Sequence, residues 1–194
     1  MISRLKGTLL KKDFSAVEVE TPGGVVYEVE VPLTVLQRLP PEGTPVELRT
    51  FQVNRQDFMA LFGFLEPSER NLFRRLLGAA GVGPSLALAM LSTFSAPRLA
   101  QALAEKDLAA LTQVSGIGKK KAERIVLELA DKVKDLALVP EGPGAGSSGS
   151  REAVSALIAL GYSFSEADAA VRQVLEQDED LTIEALIRKA LAGK

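Results

Sequence analysis

Apolar and polar residues alternate through Ala16-Val17-Glu18-Val19-Glu20 and again through Val25-Val26-Tyr27-Glu28-Val29-Glu30-Val31, with Thr21-Pro22-Gly23-Gly24 between them. A period of two sends successive side chains to opposite faces of a strand, so this stretch predicts a β-hairpin. Further strands are expected over residues 2–11, 46–53 and 58–64, five or six in all. That is too few for an immunoglobulin-like sandwich and suits a small closed barrel of the OB type over residues 1–64. From Pro67 the period lengthens: Leu72, Phe73, Leu76 and Leu77 fall on one helical stripe, and short helices follow to about Leu136. Residues 65–137 are therefore expected to form an all-α domain. Residues 138–150 are rich in Gly, Ser and Pro, and past Leu138 and Val139 they offer no large apolar side chain to anchor a core. They predict a flexible linker, spanning roughly 20 Å as a random coil. Residues 151–194 predict about three short helices, with a break at Leu160-Gly161-Tyr162. The expected class is multidomain, β then α.

Within the helical part the chain repeats itself. Gly81-Val82-Gly83-Pro84-Ser85-Leu86-Ala87 aligns with Gly116-Ile117-Gly118-Lys119-Lys120-Lys121-Ala122 at an offset of 35 residues, and the match extends from Leu76 with Leu111 to Met90 with Ile125. Each copy reads as a helix, a Gly-apolar-Gly turn and a second helix. Pro84 falls in the first turn, where a missing N–H costs nothing. Paired glycines let the backbone take positive φ and approach a partner closely, with amide N–H groups exposed at a helix N-terminus. Those amides, together with the helix dipole, make a site for a phosphate oxygen. Contacts of this kind do not read bases, so they predict sequence-independent, salt-dependent binding. Lys119, Lys120, Lys121 and Arg124 follow the second turn and can reach the same strand. A single Gly-x-Gly is equally an ordinary tight turn, and a lysine run is commonly a solvated face. Duplication with one basic copy favours DNA.

Charge qualifies that reading. The 194 residues carry a net charge of −2. Residues 1–139, however, hold 18 Lys and Arg against 16 Asp and Glu, whereas residues 151–194 hold 5 against 8. The basic excess sits in the front part, around Lys119 to Arg124. With no Cys and no His, disulfides, thiol chemistry, histidine bases and nearly all zinc or iron sites are excluded. No apolar run approaches the ~20 residues of a membrane span, so a cytoplasmic protein without a membrane partner is expected. No carboxylate cluster suggests a nuclease metal site, and Asp178-Glu179-Asp180 reads as a solvated run. Gly118-Lys119 is followed by lysine and preceded at the required position by Gln113, so no phosphate-binding loop of an ATPase is present. No cofactor or catalytic residue is expected.

The two hairpins, the opening Met1-Ile2-Ser3-Arg4-Leu5-Lys6-Gly7, the Tyr27-Glu28-Val29 strand, Leu61-Phe62-Gly63-Phe64 and Gly161-Tyr162 together resemble the RuvA family, the Holliday junction-binding subunits of bacterial branch-migration complexes. The resemblance covers essentially the whole chain apart from the linker. It implies an OB barrel, a double helix-hairpin-helix domain at the DNA and a three-helix tail that engages the hexameric ATPase RuvB. It also implies a role in recombination and repair of damaged DNA. Family members assemble as tetramers, sometimes two face to face, and a junction-resolving nuclease is a further candidate partner. Fourfold symmetry suits a four-armed substrate. The resemblance also implies an acidic pin on the loop Asn54-Arg55-Gln56-Asp57, where carboxylates would repel phosphates at the crossover. Here Gln56 stands in place of one acid, leaving Asp57 with Arg55 beside it. Ser85 stands where a lysine often follows Gly-Val-Gly-Pro, so the first hairpin relies mainly on backbone amides.

In the tail, Leu157, Leu160 and Tyr162 are the candidates for an apolar patch facing the motor, although each also suits the core of a small domain. A mobile tether favours docking, because a tail needed only for stability gains little from it. Two other readings stand beside a junction-recognition subunit. A structure-selective nuclease or glycosylase would cleave strands or release bases. A generic duplex adaptor with a base-stacking barrel is disfavoured by an aromatic content of 5%.

Overall fold

The structure, a computed structural model, describes residues 1–54, 59–137, 153–154, 156–157, 160, 162, 164–175 and 181–192. The loop bearing Arg55, Gln56 and Asp57, and the stretch 138–150 expected as a linker, lie outside the described residues. The chain divides into two compact units, Met1–Val139 and Pro140–Lys194.

The first unit opens with five strands: β1 (Arg4–Lys12), β2 (Ala16–Glu20), β3 (Val26–Glu30), β4 (Pro45–Asn54) and β5 (Met59–Phe64). They close into a barrel in the order β1-β2-β3-β5-β4, β4 returning to pair with β1. All pairs are antiparallel except β3 with β5, which meet in parallel at Glu30 and Phe62. A register shift between Leu9 and Lys11 bends β1 so that it serves both β2 and β4. A one-turn helix absent from the sequence reading, α1 (Leu33–Leu36), links β3 to β4. The alternation anticipated from sequence fills the barrel with Leu5, Leu9, Val17, Val19, Val29, Val31, Leu48 and Leu61.

Seven further elements complete this unit: α2 (Pro67–Leu76), α3 (Pro84–Thr93), α4 (Ala96–Ala104), α5 (Leu108–Leu111), α6 (Lys119–Leu129), a 3₁₀ turn (Ala130–Lys132) and α7 (Lys134–Ala137). They do not form a core independent of the barrel. On β5, Leu61 points inward, while Phe62 and Phe64 leave the barrel and join the helical core. Phe73 of α2 receives them, its ring centroid 4.9 Å from Phe62, 5.1 Å from Phe64 and 5.8 Å from the half-buried Phe51. Each such buried aromatic contributes about 1.5–3 kcal/mol of burial. Phe51, Phe62 and Phe64 thus serve the seam with the helices, while Tyr27 packs on the barrel core.

Polar contacts hold the same seam. Arg70 Nε donates to the Thr50 carbonyl at 2.5 Å, Thr34 Oγ1 to the Leu91 carbonyl at 2.7 Å, and the Leu33 amide to Ser92 Oγ at 2.9 Å. Glu69 begins α2 in a capping box with Glu66 and accepts from the Leu65 and Glu66 amides at 3.0 and 2.9 Å. Arg38 from the barrel side pairs with its other oxygen. Burial is the largest influence on this carboxyl and pushes it above the usual range, against the pull of the Glu66 amide and Arg38.

In the second unit, residues 153–154 and 156–157 are helical, followed by α8 (Phe164–Leu175) and α9 (Ile183–Ala192). Ala153, Val154, Leu157, Ala167, Val171, Leu186 and Ala190 form its core.

Candidate nucleic-acid interface

The two glycine turns follow one template down to single torsions. Gly81 and Gly116 sit at φ +81° and +86°, the left-handed region that only glycine occupies without strain. Gly83 and Gly118 then cap α3 and α6 at φ −90° and −88°, ψ 175° and 170°. The Val82 amide donates to Ala79 at 3.1 Å, and the Ile117 amide to Val114 at 3.0 Å. One turn later Ala87 donates to Gly83 at 3.0 Å and Ala122 to Gly118 at 2.9 Å. The apolar residue of each turn, Val82 or Ile117, is buried and pins the loop to the core while its glycines stay at the surface. Helix α2 leads into the first turn and α5 into the second, so both predicted hairpins are present with the offset of 35 residues preserved.

Capping separates these turns from the starts of α2, α4 and α5. Glu69 caps α2, Ser95 accepts from the Arg98 amide at the start of α4, and Asp107 accepts from the Ala110 amide at 2.9 Å at the start of α5. At α3 and α6 no side chain caps the first turn. The first amides of those helices therefore point outward with the positive end of the dipole behind them. Two such starts on one rigid core can hold two phosphate groups.

The side chains around the turns differ between the copies. Lys119 and Lys120 are exposed on the first turn of α6, with no carboxylate in ion-pair range among the described residues. Lys121 is half-buried, and its Nζ donates to the Gly116 carbonyl at 3.3 Å. Arg124 is exposed but committed within the chain, its Nε 3.3 Å from Glu128 Oε1. The opposite oxygen of Glu128 accepts the Ala80 amide at 2.8 Å, tying α6 to the first turn. That backbone hydrogen bond, followed by Arg124, holds the Glu128 carboxyl below its usual range. Around the first turn, Pro84 and Ser85 carry no charge. Glu128 was missed by sequence reading, because nothing in its spacing links residue 128 to residue 80.

Comparison with known proteins places this arrangement. Residues 1–63 match the model of the RuvA N-terminal domain, residues 73–131 that of a SAM-like helix-hairpin-helix tandem, and residues 148–193 that of the RuvA C-terminal domain. The Holliday junction branch migration complex subunit RuvA of Gemmatimonas aurantiaca is 45% identical over 192 residues, covering 99% of this chain and 98% of that protein. The subunit of the same name from Pseudomonas fluorescens strain SBW25 is 43% identical over 204 residues, covering 100% and 99%. That of Pseudomonas aeruginosa strain PAO1 is 44% identical over 202 residues, with the same coverage. The chain belongs to the RuvA family. The RuvA-type barrel and the hairpin tandem expected from sequence are both observed, in the expected order.

In the RuvA C-terminal domain the three tail candidates part company. Leu157 is buried in the core, and Tyr162 is half-buried against it. Leu160 is 63% exposed. Of the trio, Leu160 and the open edge of Tyr162 are what a partner could reach.

Proposed function

We propose that this RuvA-family chain binds Holliday junction DNA independently of sequence, as the non-catalytic subunit of a branch-migration complex. It holds the junction open in a fourfold arrangement and recruits a separate hexameric ATPase of the RuvB type through its tail. The observation that carries the reading is the pair of uncapped Gly-x-Gly turns on one core, with Lys119 and Lys120 beside the second. The Gly83 and Ser85 amides of the first turn and those of Gly118–Lys120 in the second take phosphate oxygens, and the lysines neutralise the strand between them. These contacts address the backbone, which supports recognition of junction shape over base sequence. A homotetramer supplies one hairpin pair to each arm, and two tetramers face to face would sandwich the junction. The full-length match to proteins named as branch migration complex subunits supports the same assignment.

The test is a gel-shift competition with magnesium present, setting a synthetic four-way junction against a linear duplex of equal length and sequence. Preference for the junction with intact strands is expected. Equal binding would make the chain a generic duplex adaptor, and cut strands would make it a nuclease.

A further inference from the structure

The two hairpins touch each other reciprocally. A Cβ placed on Gly116 would lie 3.7 Å from Leu86 Cδ1, and one placed on Gly81 would lie 3.9 Å from Lys121 Cε. Leu86 and Lys121 occupy the same position of the repeat, the third residue of α3 and of α6. Each helix therefore lays its third side chain over the left-handed glycine of the other turn. In the first copy that side chain is apolar and ends there. In the second it carries an ammonium, which reaches past Gly81 and returns to the Gly116 carbonyl at 3.3 Å. One of its three N–H donors is used in that bond, and two remain.

The charge balance of the first turn makes that position consequential. Pro84-Ser85-Leu86 offers no cation, and Glu128 brings a carboxylate to the Ala80 amide just before the turn. Glu128 is itself paired with Arg124 at 3.3 Å, and beside the Gly81 turn lies the ammonium-bearing stem that Lys121 lays across from the other hairpin.

We propose that Lys121 serves both hairpins: its stem spaces the two turns, and its ammonium supplies the first hairpin with the phosphate-neutralising charge that Ser85 does not. The role rests on the DNA-binding reading above and assigns Lys121 chiefly to the neighbouring turn.

Fluorescence anisotropy of the full chain on a four-way junction, across 50–200 mM KCl, tests it. Lys121→Met keeps the stem and removes the charge. For each protomer on the DNA the slope of log affinity against log salt becomes shallower by about 0.9, so the affinity lost across that range shrinks about 3.5-fold. Lys121→Gln gives the same slope, and Ser85→Lys added to Lys121→Met restores the original one. An unchanged slope in both neutral variants, or a reduced slope that Ser85→Lys leaves unrestored, overturns the shared role. Lys119→Ala with Lys120→Ala separates the two ideas. If that double variant keeps the full slope, the hairpin reading itself fails; if it loses slope while Lys121→Met does not, only the role of Lys121 fails.

Discussion

Four glycines in the two turns divide into two kinds. Gly81 and Gly116 are needed for their torsions, because a side chain at φ near +80° costs about 1–2 kcal/mol. Gly81→Ala and Gly116→Ala are each expected to lower stability by that amount in a denaturant titration. Gly83 and Gly118 lie at ordinary negative φ with nothing within 4 Å of a Cβ built on either. Alanine there costs under about 1 kcal/mol as a helix cap, yet its methyl stands where a phosphate would approach the amides. Gly118→Ala is therefore expected to keep its melting temperature nearly unchanged while losing junction affinity. Full affinity in that variant would show that the DNA does not come close to the turn. Both kinds of glycine are legible in the motif, but only the torsions tell which does which.

Helix α6 does more than present lysines. Its far end carries Glu128, which holds the first hairpin through the Ala80 amide and holds Arg124 on the helix itself. Arg124, read from sequence as a DNA contact, meets Glu128 through Nε, so its positive charge is partly balanced within the chain. The tie to Ala80 has a pH signature. The folded carboxyl lies below its ordinary value of 4.5, so its stabilisation is complete above about 4.5 and is lost as the pH falls through the folded value. Protection of the Ala80 amide in hydrogen exchange should therefore weaken in the acid range below 4.5. In Glu128→Gln that acid step is expected to vanish. An identical acid step in the variant would place the titrating group elsewhere. Asp135, held below its usual range chiefly by its hydrogen bond from Arg75, contributes in the same direction at the α2–α7 contact.

At the scale of the molecule, the barrel and the hairpins share one core through Phe73, Phe62 and Phe64, and the Arg38–Glu69 pair and Arg70 close the seam. The hairpins are thus fixed to the barrel, so a symmetric assembly of barrels would hold its hairpins at set positions on the DNA. The tail is a separate compact unit with a core of its own. Leu160→Ser is expected to change stability by no more than about 0.5 kcal/mol, as for exposed positions in general, and to leave junction binding intact. Its expected effect is reduced stimulation of the ATPase of a RuvB-type hexamer, and undiminished stimulation would remove Leu160 from the docking surface.

Period-two alternation, the switch to a helical stripe at Pro67 and the repeated Gly-apolar-Gly were enough to determine a barrel followed by a hairpin tandem. These patterns are local: each is set by which side chains must leave water and which backbone needs glycine. The expected class of binding followed as well, since amides exposed at a helix start with the dipole behind them favour an anion. Long-range geometry alone decided the rest. Phe62 and Phe64 look like barrel residues until α2 covers them. Leu157 and Leu160 are equally apolar, and only packing sent one inward and left the other in solvent. Glu128 finds Ala80, and Lys121 crosses to Gly81, because the two helices fold against each other, bringing together residues tens of positions apart that no local periodicity relates.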